Sequence, residues 1–577
     1  MALRYKYFFQ FLATAILAWF ALAPAQSLDK ASQDKEDDSK IKFAVRTELV
    51  LIPTIITDKS GNHISGLKKE DFKVLENGAA QQIATFEEVR TDASALSHTA
   101  HPNQFSNFVA GQPSTSRITL IVLDFINTPF AAQAAGRQEL VKYLTQSVDT
   151  REPTALYTLT RSGLQVIHDF TTDPRVLVAA LHKAKGDPYQ MVDTPEQVEA
   201  VTGTASPDGS SADAATAASS GVQAEAARIQ ALLEDSELNF QSFQQRLAIT
   251  YTLDGMRQIA QALAGYPGRK SVIWAGGGFP FSVSDNSMQL APAGRDTLSD
   301  VLPLYERTWQ LLNDAQISLY PVDVKGLEVV GLPSASVRNP GRNFGRHAMN
   351  KQVDTQATLE TFASMTGGRA YFNSNDLLKG FRDAVNDSSQ YYMLGYYLDH
   401  SNPKPGWRKL SVKVNREHSE VRARSGFFVT NAAANPDNTR NADISSALSS
   451  PLDCTSLALV ANWGKIEAGK APGQKRINYE IHLSPQANVI SESDNNHVAL
   501  DVVSLAFTPD GKRLGQPFGQ KIDVHLSPEK LAAIRKQGGL VFHDVLELTP
   551  GEYKVRFVVR DYLSGRTGSV AMPLKLE

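Results

Sequence analysis

Three side chains at the end of one apolar run could hold a hard cation. In residues 121–129, IVLDFINTP, the run stops at Asp124, and Asn127 and Thr128 follow, so a carboxylate, an amide and a hydroxyl gather at one strand end. Mg2+ and Ca2+ take oxygen ligands of these kinds, but need about six or more of them in one place. The same residues also suit a plainer role, in which Asp124 caps the end of a buried strand and accepts hydrogen bonds from loop amides. Later in the chain, SVIWAG runs into Gly276, Gly277 and Gly278, then Phe279, Pro280 and Phe281, with Asp285 the next carboxylate. A glycine run lets backbone approach another surface closely, and its N–H groups can receive an acidic side chain of a partner. A strand-to-loop turn packed against a helix needs the same glycines and is the preferred reading. Phe279 and Phe281 form an apolar tip if exposed and core residues if not.

Other chemistries find less support. GYPGRKS has phosphate-loop composition, but Arg269 separates Gly268 from Lys270, and a helix precedes it where a strand should. Gly265, Pro267 and Gly268 serve as a helix stop. No Gly-x-Ser-x-Gly elbow and no His-Glu-x-x-His helix occurs. His168 and Asp169 are adjacent in a strand, so their side chains point to opposite faces and form no dyad. Cys454, the single cysteine, cannot form an intramolecular disulfide and reads as a small buried residue. Tyr391, Tyr392, Tyr396 and Tyr397 crowd one β segment, where aromatic pairing within a sheet is preferred over a sugar-binding stripe. The expectation is a protein that is not an enzyme.

The elements that would position these residues follow from patterning. At 577 residues the chain is too long for one core. Residues 1–25 carry Arg4 and Lys6, an apolar stretch and Ala23-Pro24-Ala25, the layout of a cleavable secretory signal. A secreted or periplasmic protein is expected, touching a membrane only if that segment is retained. The formal charge of -3, with no dense basic stripe, disfavours a nucleic-acid partner. Residues 26–42 read as a solvated linker, and 43–91 as short strands with turns at Lys59-Ser-Gly61 and Glu76-Asn-Gly78. Residues 92–116 read as a loop. From Arg117 to residue 389, strands such as RITLIVLDF, TALYTLT, KSVIWAG and ISLYPVDV alternate with helical stretches, which specifies an α/β doubly wound unit with a parallel sheet covered on both faces. Residues 186–221 are small and polar and read as a disordered insertion. Strands at 390–430 are too few to stand alone, so they are expected to pair with 43–91 in a split β-sandwich holding the α/β unit as an insert. Residues 431–452 read as a linker, and 453–577 as an Ig-like β-sandwich.

With LIVLDFINTPF, LQVIHDFTTDPRVL, GYPGRKSVIWAGGGFPF, YPVDV, FASMTGGRAYFN and the flanking TDKSGNHISGLKKEDFKVLENG and VRARSGFF in this order, residues 43–430 resemble the von Willebrand factor A-related proteins of acidobacteria. The resemblance implies an exported protein whose A-type domain serves adhesion, assembly or ligand binding. In A domains that bind a divalent cation, the first strand ends in Asp-x-Ser-x-Ser and a further aspartate follows a later strand. Here Asp124 and Thr128 match, Ile126 stands at the first serine, and Ala275–Gly278 replaces the sequence that should carry the aspartate. The metal site, Asp124 and Thr128 with Mg2+ or Ca2+ at most, is therefore expected to be incomplete, and no cofactor is required. The expected function is an exported binding or adhesion protein that offers Asp124, Asn127, Thr128, Gly276, Gly277, Gly278, Phe279 and Asp285 to an unidentified protein partner. A structural component of a cell-envelope assembly and an uncharacterised hydrolase are the alternatives.

Overall fold

A computed structural model describes residues 48–91, 104–107, 117–146, 152–184, 220–284, 287–289, 298–326, 344–373, 377–387, 389–398, 405–429, 436–484, 487–491 and 494–577. The expected signal and linker of residues 1–42, most of the 186–221 insertion, and Asp285 lie outside these residues. Among the described residues no helix is long and apolar enough to cross a membrane.

Strands Ile118–Asp124, Lys270–Gly276 and Ile317–Asp323 are buried at every position, which explains why they read as continuous apolar runs and not as alternation. They belong to a five-stranded sheet ordered Ile317–Asp323, Lys270–Gly276, Ile118–Asp124, Thr154–Thr160, Gly163–Thr171. The first four run parallel, and the last turns back antiparallel through Arg161-Ser162. Successive side chains of a strand point to opposite faces, and two separate cores follow. Leu120 and Val122 pack with Leu253 and Met256 of the long helix Ser220–Leu263, with Trp309 of Leu298–Asp314 and with Phe362 of Phe344–Thr366. Ile121 and Leu123 pack on the other face against Leu140 and Leu144 of Phe130–Gln146, Leu181 of Pro174–Lys183 and Phe381 of Leu377–Asn386.

Chain segments from either side of this α/β unit share two sheets. Glu48–Thr54 pairs antiparallel with Tyr392–Leu398, and Phe72–Glu76 with Leu410–Val414. Between them lies a core of Ile52, Ile56, Val74, Tyr392, Leu394 and Phe427. The tyrosine stripe is divided by this arrangement. Tyr391, Tyr392 and Tyr396 are buried and only Tyr397 is exposed, so the crowding stabilises a core and offers no sugar platform.

The C-terminal region forms two further four-stranded sheets around Leu459, Ile481, Val555, Phe557 and Met572. Two expectations are corrected here. Gln104–Ser106, within the expected loop, adds an edge strand beside Leu459–Ala468, and the Asn107 side chain donates to the carbonyls of Cys454 and Leu457 at 2.6 and 2.8 Å. Residues 431–452, expected as a linker, contain the helix Pro436–Ser449. Its largely polar sequence hid it, because a short apolar patch of Ile444, Ala447 and Leu448 is joined by ion pairs in holding it. Arg440 forms a two-bond pair with Asp501 at 2.7 and 2.6 Å. Asp443, 1% exposed, accepts from Arg560 at 3.1 and 3.0 Å and faces Arg307 at 3.4 Å. Arg307 belongs to the α/β unit and Arg560 to the C-terminal sandwich, so one carboxylate joins helix, sheet and sandwich.

Candidate functional site

In open α/β sheets ligands enter the crevice outside the carboxyl ends of the strands, where the strand order reverses. That crevice lies between Ile118–Asp124, whose sequence successor pairs on one side, and Lys270–Gly276 on the other. Asp124 and Gly276 stand at its lip, so the sheet brings together most of the residues that the sequence singled out.

The lip is closed by internal hydrogen bonds. Asp124 is 1% exposed. Its Oδ1 accepts from the Asn127 backbone N–H at 3.0 Å, and its Oδ2 from Asn127 Nδ2 at 2.8 Å and from the indole Nε1–H of Trp274 at 2.9 Å. The Asn127 amide also donates to Thr252 of the long helix at 2.9 Å. The Thr128 hydroxyl donates to the Asp124 carbonyl and accepts from the Gly277 N–H at 2.8 Å. Gln133 donates to the carbonyls of Phe125 and Thr128, which holds the turn from behind. Burial pushes the Asp124 carboxyl up to about 6, although the N–H groups of Asn127 and Trp274 pull the other way.

The glycines permit this closure. A Cβ on Gly276 would stand 3.0 Å from the Asp124 Cβ, and one on Gly277 only 2.9 Å from the Asn127 carbonyl oxygen and 3.0 Å from Pro129 Cδ. The two loops are thus in contact through backbone, and the Gly277 N–H, one of the amides expected to receive a partner's carboxylate, is spent on Thr128. Gly278 is buried at φ +136°. Phe279 and Phe281 turn inward: Phe279 lies 4.3 Å from Phe362 between ring centroids, and Phe281 5.6 Å from the same ring.

The residues of the expected ligand surface differ in exposure. Asp124, Thr128, Gly276 and Gly278 are buried, while Asn127, Gly277 and Phe279 are half-buried. A hard cation does not fit the residues present. Two N–H donors face a carboxylate oxygen that a cation would need, the Gly277 N–H occupies a lone pair of the Thr128 hydroxyl, and Ile126 points into the core at 0% exposure. Among the described residues no group of three or more His, Cys, Asp or Glu is placed to hold a metal.

The remaining reactive candidates are also committed elsewhere. His168 Nδ1 lies 2.7 Å from the Asp169 carbonyl oxygen and not from its carboxylate. Cys454 is buried, and burial pushes its thiol up to about 12, so it holds its proton where a nucleophile must lose it.

No family model and no curated protein matches the chain.

Trp274 is the functional residue that patterning missed. Within SVIWAG it reads as one more apolar strand position. Its indole crosses from one strand to the next to reach Asp124, and a single sequence carries no signal of that cross-strand bond.

Proposed function

We propose that this chain is an exported, non-enzymatic binding protein built on a von Willebrand factor A-like α/β unit that serves as a scaffold, with its metal-dependent ligand site replaced by an internal latch. The observation that carries this reading is the Trp274 to Asp124 hydrogen bond, reinforced by Gly277 against Thr128. Where a cation would polarise a partner's carboxylate, an indole N–H satisfies the strand-end aspartate instead, while the buried Asn127 Oδ1 meets no donor among the described residues. Binding then falls to surfaces away from the crevice. The edge strand Arg513–His525 of the C-terminal sandwich is exposed along almost its whole length and displays Phe518 and Val524. The alternative reading, a structural component of an envelope assembly, draws on the Asp443 junction that ties the α/β unit to that sandwich.

Calorimetric titration of the full chain with Mg2+, Mn2+ and Ca2+ tests the latch. The expected result is no saturable binding that depends on Asp124. Tight one-to-one binding of any of these ions that Asp124→Ala abolishes would overturn the reading.

A further inference from the structure

A buried positive charge that forms no ion pair among the described residues lies where the α/β unit meets the first sandwich. Arg269 is 0% exposed. Its Nη2 donates to the Tyr320 hydroxyl at 3.0 Å and to the Gly367 carbonyl at 2.7 Å, both neutral acceptors. Its Nε and Nη1 meet no acceptor among the described residues. The Arg269 backbone N–H donates to Tyr391 of the sandwich at 3.2 Å, which fixes the residue at the seam. Two carboxylates share this neighbourhood: Tyr320 feels both Arg269 and Asp387, and Tyr391 feels both Arg269 and Glu87, which is exposed. Asp387 is already balanced, because both its oxygens are held by Arg422.

Chemistry makes this a demand and not a curiosity. A guanidinium does not release its proton inside a protein, so Arg269 stays charged. The adjacent Lys270 shows the contrast: equally buried and bonded to the Ala315 carbonyl at 2.7 Å, it is drawn down by burial to about 7 and can shed its charge. A buried charge that cannot neutralise itself needs a partner of opposite sign. A second unmatched donor stands nearby. The Tyr371 hydroxyl is buried, has no acceptor among the described residues, and lies close enough to feel Asp383, Asp387 and Tyr320.

We propose that the seam binds one small inorganic monoanion, chloride in ordinary solution, on the unmatched N–H groups of Arg269, and that this ion staples the α/β unit to the sandwich. A single uncompensated guanidinium matches a single negative charge, which favours a halide over sulfate or phosphate.

The test uses the full chain. Thermal unfolding is followed at constant ionic strength while gluconate is replaced by chloride or bromide, and crystals grown in bromide are measured at its absorption edge. The midpoint should climb with the logarithm of halide concentration. An anomalous peak should appear within hydrogen-bond distance of Arg269 Nε or Nη1. Arg269→Met, if it folds, should lose the halide dependence, and the bromide map on the unaltered protein needs no variant. Only water density at the seam, or a midpoint that stays unchanged as halide replaces gluconate, would overturn the proposal.

Discussion

Trp274→Phe should destabilise the protein in a strongly pH-dependent way. Asp124 ionises near 6 where an unperturbed aspartate ionises near 3.8. At about 1.36 kcal/mol per pKa unit, holding the charged form in the folded state costs about 3 kcal/mol at pH 7 and above. The sign follows from proton binding. Between 3.8 and 6 the folded state holds the Asp124 proton more firmly than the unfolded chain, so this group's contribution is most favourable below that window and declines as pH rises through it. Phenylalanine keeps most of the ring volume but removes one of three donors to the carboxylate. A hydrogen bond to a charged group contributes roughly 1.5–3 kcal/mol. The loss should therefore be about 1.5–3 kcal/mol at pH 8, beyond a packing loss of about 1 kcal/mol. At pH 5, where Asp124 is protonated, most of the charge-dependent part should vanish. Urea unfolding of the full chain, followed by circular dichroism at both pH values, gives the difference directly. An equal loss at pH 5 and pH 8 would refute the claim that the indole N–H serves the charged carboxylate.

Two further outcomes are expected. His497 has its ring nitrogens 2.9 Å from Asp494 and 2.8 Å from Asp523, and carboxylates only accept, so both nitrogens carry hydrogen. The hydrogen bond to Asp523 is the main reason its pKa stands above the ordinary 6.5, and Lys521 and the stacked His525 complete its surroundings. Its stabilisation should be fully present below 6.5 and lost as pH rises through the raised value, so His497→Gln should lower the urea midpoint most in acid; a deficit that does not change with pH counts against this. Asp443→Ala strands the buried guanidinium of Arg560 and takes one acceptor from the half-buried Arg307, and breaking a buried pair in this way costs roughly 3–5 kcal/mol. A thermal midpoint within a degree or so of the parent would show that the junction contributes nothing.

The alternation of strand and helix across residues 117–389 could be read without a structure, because a strand covered on both faces must be apolar throughout and a helix must present a stripe. Ile118–Asp124 and Lys270–Gly276 are such strands. Asp124 could likewise be named as the residue at the lip, since a lone carboxylate closing an apolar run has few other reasons to be there. The helix Pro436–Ser449 could not be read, because Arg440 and Asp443 are held by Asp501, Arg307 and Arg560, residues remote in the chain. Nor could the chain order alone say what Asp124 meets. Tertiary structure decided that by setting two parallel strands side by side, with Val122 directly against Trp274. That register carries the indole N–H to Asp124, and the missing Cβ of Gly276 and Gly277 lets the loops close over it. Residue types set which groups were available at the strand ends; the strand register and the glycine backbone turned them from an open site into a latch.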